Sequence, residues 1–183
     1  MNEELELIKE VASLLEQAGI GYMMTGSMAM AVYATPRMTR DIDMVIQVTH
    51  EDIEKIVELF QNDFYIDETS VRQAVDNRGM FNIIHNESVI KIDFIVRKDE
   101  EYRLEEFARR QTVEIEGQPI SVVAPEDLIL SKLVWARQSD SELQLGDVRQ
   151  MLTALNDIDD DYLKNWSEKL GVAELLGKAR EDR

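Results

Sequence analysis

The sequence predicts an α+β fold, with strands and helices interleaved to about residue 123 and helices alone after it. Three observations predict it. Helical apolar spacing alternates with short β-branched runs through the earlier part of the chain. Pro125-Glu126-Asp127 is a clear helix start, with proline at a first helical position and acids at the positive end of the helix dipole. The run Asp41-Ile42-Asp43-Met44-Val45-Ile46 reads as a strand, and residues two apart on a strand share a face. Asp41 and Asp43 then stand side by side, with Ile42, Met44 and Ile46 turned into a core.

The elements follow in order. Leu5, Ile8, Val11, Leu14 and Leu15 make residues 3–18 an amphipathic helix, which Gly19 ends. Gly21 to Thr25 is a short strand, and Gly26-Ser27 turns it into a helix from Met28 to Tyr33. Pro36 interrupts before the Asp41 strand. Ile53, Ile56, Val57 and Phe60 place a helix over 50–60, with Asp52 near its start. Gly79 to Ile84 and Val89 to Val96 form a hairpin around Asn86-Glu87, in which Lys91, Asp93 and Ile95 share the face opposite Ile90, Ile92, Phe94 and Val96. A charged helix over 99–110 precedes a second hairpin, Thr112 to Ile115 and Pro119 to Val123, around Glu116-Gly117. Helices over 126–137, 144–155 and 159–169 and a short one after Gly171 complete the chain. The seam near Ala124 divides residues 1–123 from a helical lobe, 124–183.

Composition narrows the function. The chain has 183 residues, 44% of them apolar, enough for a folded core. It has no cysteine, which excludes disulfide frameworks, thiolate zinc sites and thiol nucleophiles. The acidic N-terminus lacks the basic segment of a signal peptide, and no apolar run is long enough to span a membrane, so a cytoplasmic protein is expected. The net charge is −17. Such a surface repels a polyphosphate chain, so a nucleic-acid substrate requires a local basic patch or a basic partner.

Two adjacent carboxylates repel and resist desolvation unless positive charge lies between them, and oxygen ligands suit Mg²⁺. Gly26-Ser27 offers close backbone approach, a hydroxyl and the free amides of a helix start, features that favour phosphate. Alone, that dipeptide is better explained as a capped turn. Alone, Asp93 is better explained as a solvated strand residue paired with Lys91 or Arg97.

Together, Thr25-Gly26-Ser27, Asp41-Ile42-Asp43-Met44 and Ile92-Asp93-Phe94 resemble the motif set of the DNA polymerase β-type nucleotidyltransferase superfamily, with thirteen residues between Ser27 and Asp41. Lys132 and Arg137 within 125–137, and Asp147 in Gly146-Asp147-Val148-Arg149, resemble its AbiEii-like, toxin-type branch. The resemblance implies a mixed β-sheet flanked by helices and followed by a helical lobe. It implies transfer of a nucleotidyl group from an NTP to an acceptor hydroxyl, with two Mg²⁺ ions on Asp41, Asp43 and Asp93. Gly26, Ser27, Arg40, Lys132, Arg137 and Asp147 would serve the nucleotide. The acceptor would be an RNA end or another cellular molecule, and an antitoxin would restrain the enzyme. A small antibiotic-type acceptor, or a non-catalytic nucleotide- or partner-binding module of the same fold, are the alternatives. Five residues on a helix span about 140°, so Lys132 and Arg137 do not form one stripe, and both also read as solvated helix charges. His50 reads as a cap-region residue and His85 as a strand-end residue. Trp135 and Trp166 read as helix-packing residues.

Overall fold

The computed structural model describes residues 2–35 and 41–181. Helix α1 (Asn2–Gln17) leads into β1 (Gly21–Thr25), α2 (Gly26–Tyr33) and β2 (Ile42–Gln47). A 3-10 turn, His50–Asp52, precedes α3 (Ile53–Phe60), and β3 (Phe64–Tyr65) and α4 (Glu68–Asn77) follow. The hairpin β4 (Met80–His85) and β5 (Lys91–Val96) leads to α5 (Glu101–Ala108) and to a second hairpin, β6 (Gln111–Ile115) and β7 (Gln118–Val122). Then come α6 (Pro125–Ser139), α7 (Glu142–Ala154), α8 (Asp160–Lys169) and α9 (Ala173–Glu181).

Among the described residues the strands form one mixed sheet in the order β3-β4-β5-β2-β1-β7-β6. Strand β2 runs antiparallel to β1 and parallel to β5, so its first residues lie beside the start of β5. Alternation sorts the two faces. Ile42, Met44, Ile46, Ile92, Phe94 and Val96 are buried. On that side Phe94 packs against Phe60 of α3, with ring centroids 5.5 Å apart. The opposite face carries Asp43, Val45, Asp93 and Ile95 toward α6.

Most predicted elements recur within a residue or two, and the differences have local causes. Strand β5 starts at Lys91 rather than Val89 because Val89 has a left-handed backbone, φ 58°, inside the hairpin loop. Glu116 and Gly117 both have positive φ, the geometry of a tight hairpin turn. Asp52 closes a capping box by accepting the Thr49 amide at 2.9 Å. The short β3 and the helix α4 are not anticipated by the pattern. Asp67 caps α4 by accepting the Ser70 amide at 2.8 Å, and Val71, Ala74 and Val75 form its narrow buried stripe.

Candidate active site

Register brings the acids together. Asp43 and Asp93 are direct partners across the parallel β2–β5 pair and share its α6-facing side, about 5 Å apart in backbone terms. Asp41 lies just before the first residue of β2 and is exposed. All three line one cleft of about 560 Å³ between the sheet and α6. Lys91 bridges two of them: its Nζ is 2.8 Å from Asp93 Oδ2 and 4.0 Å from Asp41 Oδ1. Bonding to Asp93 raises the Lys91 pKa.

At this end the cleft nonetheless holds more acid than base, with Asp41, Asp43 and Asp93 against Lys91 and Lys132. Burial, then Asp93, then Asp41 push the Asp43 carboxyl up to about 6. Asp93 Oδ1 is buried without a hydrogen-bond partner. Among the described residues no three acidic or imidazole side chains already form a closed metal cage. The donor set is nevertheless all oxygen, one of its buried oxygens is unsatisfied, and Lys91 is partly exposed on a flexible stem. These residues fit a hard divalent cation once Lys91 swings aside.

Gly26 sits against this cluster. Its φ is +67°, and an added Cβ would overlap the Asp43 carboxylate, so both backbone and space demand glycine. Ser27, in the first turn of α2, is buried and lines the cleft with Thr25 and Gly26. The α2 amides therefore open beside Asp43, where a phosphate would meet the positive helix end.

Lys132 also lines the cleft, and its charge draws the Asp43 pKa down. It is buried, donating to Asp147 Oδ2 at 2.6 Å and Gln144 Oε1 at 3.2 Å. Asp147 thus reaches the cleft through Lys132, whose ammonium it orients.

Residues 14–171 match the family described as nucleotidyl transferase AbiEii toxin, type IV toxin–antitoxin system. The chain belongs to the AbiEii family. No curated protein matches it. Solved structures share the fold. An antigenic nucleotidyltransferase-like protein from Paracoccidioides brasiliensis aligns with a TM-score of 0.69 at 20% identity, over 100% of this chain and 89% of its own. The antibiotic-resistance factor ANT(2'')-Ia aligns at 0.56 and 18% identity, over 99% and 94%. The lincosamide antibiotic adenylyltransferase LnuA aligns at 0.55 and 11%, over 85% and 98%. Nucleotidyl transfer and the mixed sheet expected from the motifs therefore stand, as does the assignment to a toxin–antitoxin family.

Within this AbiEii chain, one expected nucleotide ligand is placed away from the cleft and another falls outside the described residues. Arg137 does not line the cleft. It lies on another side of α6, as the 140° rotation dictates, and its Nη1 donates to the carbonyls of Leu170 at 2.5 Å and Gly171 at 3.2 Å. Arg40 lies outside the described residues.

Other residues enter the site unannounced. Trp166 is buried against Tyr102, as a packing residue should be. Trp135, read from the sequence as a packing residue, is 52% exposed and lines the cleft. Arg103, Glu106 and Ser131 form a network along one wall. Ser131 Oγ donates to the buried Glu106 Oε1 at 2.6 Å, and Arg103 Nη1 donates to Glu106 Oε2 at 2.8 Å. Burial pushes the Glu106 pKa up against the pull of Arg103. The Lys91–Asp93 pair was legible as i, i+2 neighbours, whereas Glu106 and Ser131 lie 25 residues apart and meet only in the fold. His50 bonds Asp76 and His85 bonds Ser88, and neither lines the cleft.

Proposed function

We propose that this AbiEii protein moves an NMP from an NTP to an acceptor hydroxyl with Asp41, Asp43 and Asp93 as ligands of two Mg²⁺ ions. The unsatisfied Oδ1 of Asp93, beside an Asp43 carboxyl raised to about 6, carries the reading, because both record negative charge awaiting a cation. Bound Mg²⁺ would offset charge on the reacting phosphate and on the attacking and leaving oxygens. The acceptor oxygen bonds the α-phosphorus, its proton passes to Asp93, and the bond to the pyrophosphate oxygen breaks. Ser27, Gly26 and the α2 amides hold the outer phosphates. Lys132, fixed by Asp147 and Gln144, faces the departing pyrophosphate. The placement of Arg137 lends no support to a phosphate role.

We further propose residues 1–123 as the catalytic unit and 124–183 as a helical unit that supplies Lys132. No helix among the described residues is long and apolar enough to cross a membrane, in keeping with an enzyme acting in the cytoplasm on NTPs. Membership of a toxin–antitoxin family supports an antitoxin partner, and an RNA end is the acceptor we favour.

Incubating the protein with labelled NTPs, Mg²⁺ and fractionated lysate tests the reaction. Label should enter an acceptor fraction with wild type and not with Asp93→Asn, while the variant still binds NTP. Equal turnover by both would refute the role of Asp93.

A further inference from the structure

The cleft changes sign along its length. On β5, Asp93 and Ile95 face the cleft and Arg97 continues the alternation, four residues or about 13 Å from Asp93. Val45, Ile95, Met80 and Trp135 make the middle apolar, and Arg97, Lys98 and Arg103 form the far end. Against the overall charge of −17, this half of the lining has three cations and a single acid, Glu106. Glu106 is spent in fixing Arg103, with Ser131 as the third member of the network. Arg97 is steered by Asp99 at 3.1 Å, and its Nε is buried without a partner. Lys98 is exposed at the rim. Two large apolar side chains stand bare between the poles, Met80 at 59% and Trp135 at 52% exposure. On the cleft-facing stripe of α6, Leu128, Ser131, Trp135 and Gln138 follow at helical spacing, which puts Trp135 on the wall that faces the sheet.

We infer that this half of the cleft is the acceptor subsite and takes a nucleotide unit, its base on Trp135 and its phosphate at Arg97, Lys98 and Arg103. The inference rests on the nucleotidyl-transfer reading, which leaves this half free once the triphosphate occupies the acid end. An aromatic face beside cations is how proteins hold a base and its phosphate without sequence preference. It also answers the acidity of the chain: the basic patch that a polyphosphate needs lies inside the cleft. A polycationic antibiotic would meet like charge there. Two sources share this chemistry, a free nucleotide and the end of an RNA strand.

The test fills the nucleotide site first. Calorimetry measures binding of a non-hydrolysable NTP analogue with Mg²⁺ to wild type, Trp135→Ala and Lys98→Glu. With the analogue saturating, anisotropy of a labelled oligoadenylate with a free 3′-hydroxyl, and competition by AMP, measure the second site. We expect analogue binding to be equal in all three proteins, and oligoadenylate binding to weaken about tenfold in each variant, with less salt dependence in Lys98→Glu. Competition by AMP would assign the subsite to a free nucleotide unit, and resistance to AMP would assign it to a strand end. Analogue binding with no second site, a second site indifferent to both variants, or displacement of the RNA by a polycationic aminoglycoside would overturn the inference alone. Failure of the analogue to bind wild type would overturn the nucleotidyl-transfer reading, and the inference with it.

Discussion

Asp127 and Asp93 are both buried carboxylates, at 0% and 7% exposure, and the fold treats them in opposite ways. Asp127 sits in the first turn of α6. Its Oδ2 accepts from Arg109 Nε at 2.9 Å and its Oδ1 from the Tyr162 hydroxyl at 2.7 Å. The same guanidinium lies 3.8 Å from the Tyr162 ring centroid and reaches Glu126 at 3.1 Å, and Glu126 accepts the Asp159 amide at 3.1 Å. Every oxygen of Asp127 is answered, and the network ties α5, α6 and α8 together. Asp93 has one oxygen on a partly exposed lysine and the other on nothing. Asp127 is finished by the protein, whereas Asp93, with Asp43 directly across the strand pair, keeps one buried oxygen unanswered. Buried charge left incomplete costs stability and is kept where a ligand completes it.

The largest effect should follow from breaking the finished network. Asp127→Ala takes from Arg109 one of its two acids and leaves the Tyr162 hydroxyl without its acceptor, and the loss of these two charge-assisted bonds should cost about 3–5 kcal/mol, measured as the fall in urea midpoint. An unchanged midpoint would erase the contrast with Asp93. Asp43→Asn should do the reverse, reducing turnover by roughly 10³-fold while leaving the melting temperature unchanged or higher in metal-free buffer. A large fall in melting temperature would make Asp43 a structural acid.

The pH dependence sharpens the same comparison. The folded Asp43 carboxyl titrates near 6 rather than 3.8, so between those values the native state binds more protons than the unfolded chain. Its contribution therefore favours folding as pH falls through about 6 and opposes it as pH rises. Without metal, the stability of wild type relative to Asp43→Asn should improve by about 2 kcal/mol or less between pH 7 and pH 4, followed by denaturant titration at each pH. A flat difference would mean that the carboxyl is not held above its ordinary range. The smallest effect is expected at Arg137. Arg137→Ala should cost about 1 kcal/mol, through lost bonds to the Leu170 and Gly171 carbonyls, and should leave NTP affinity unchanged. A tenfold loss of affinity would return Arg137 to the site.

Much of this arrangement is readable from residues alone, where the signal is local. Alternation in Asp41-Ile42-Asp43 and in Lys91-Ile92-Asp93 sets which side each acid faces, and Gly26-Ser27 marks a turn that only glycine can make beside Asp43. The acids meet because β2 and β5 pair in parallel with Asp43 opposite Asp93, a register that no single strand encodes. The helix α4 escapes notice because its apolar stripe is only Val71, Ala74 and Val75 in a polar segment. Trp135 misleads for the opposite reason. It sits at core-like helical spacing, yet the floor beneath it is a cleft rather than a packed neighbour. Asp127 reads correctly as a helix-start acid, but Arg109 and Tyr162 come from 18 and 35 residues away.

The most direct test of the central claim is calorimetric titration of Mg²⁺ and an NTP into wild type and into the Asp41→Ala/Asp43→Ala double variant. Metal-dependent NTP binding in the wild type, lost in the folded double variant, is the predicted result. NTP binding of equal strength in both proteins, or binding indifferent to Mg²⁺, would contradict the claim that these carboxylates are held incomplete for a metal.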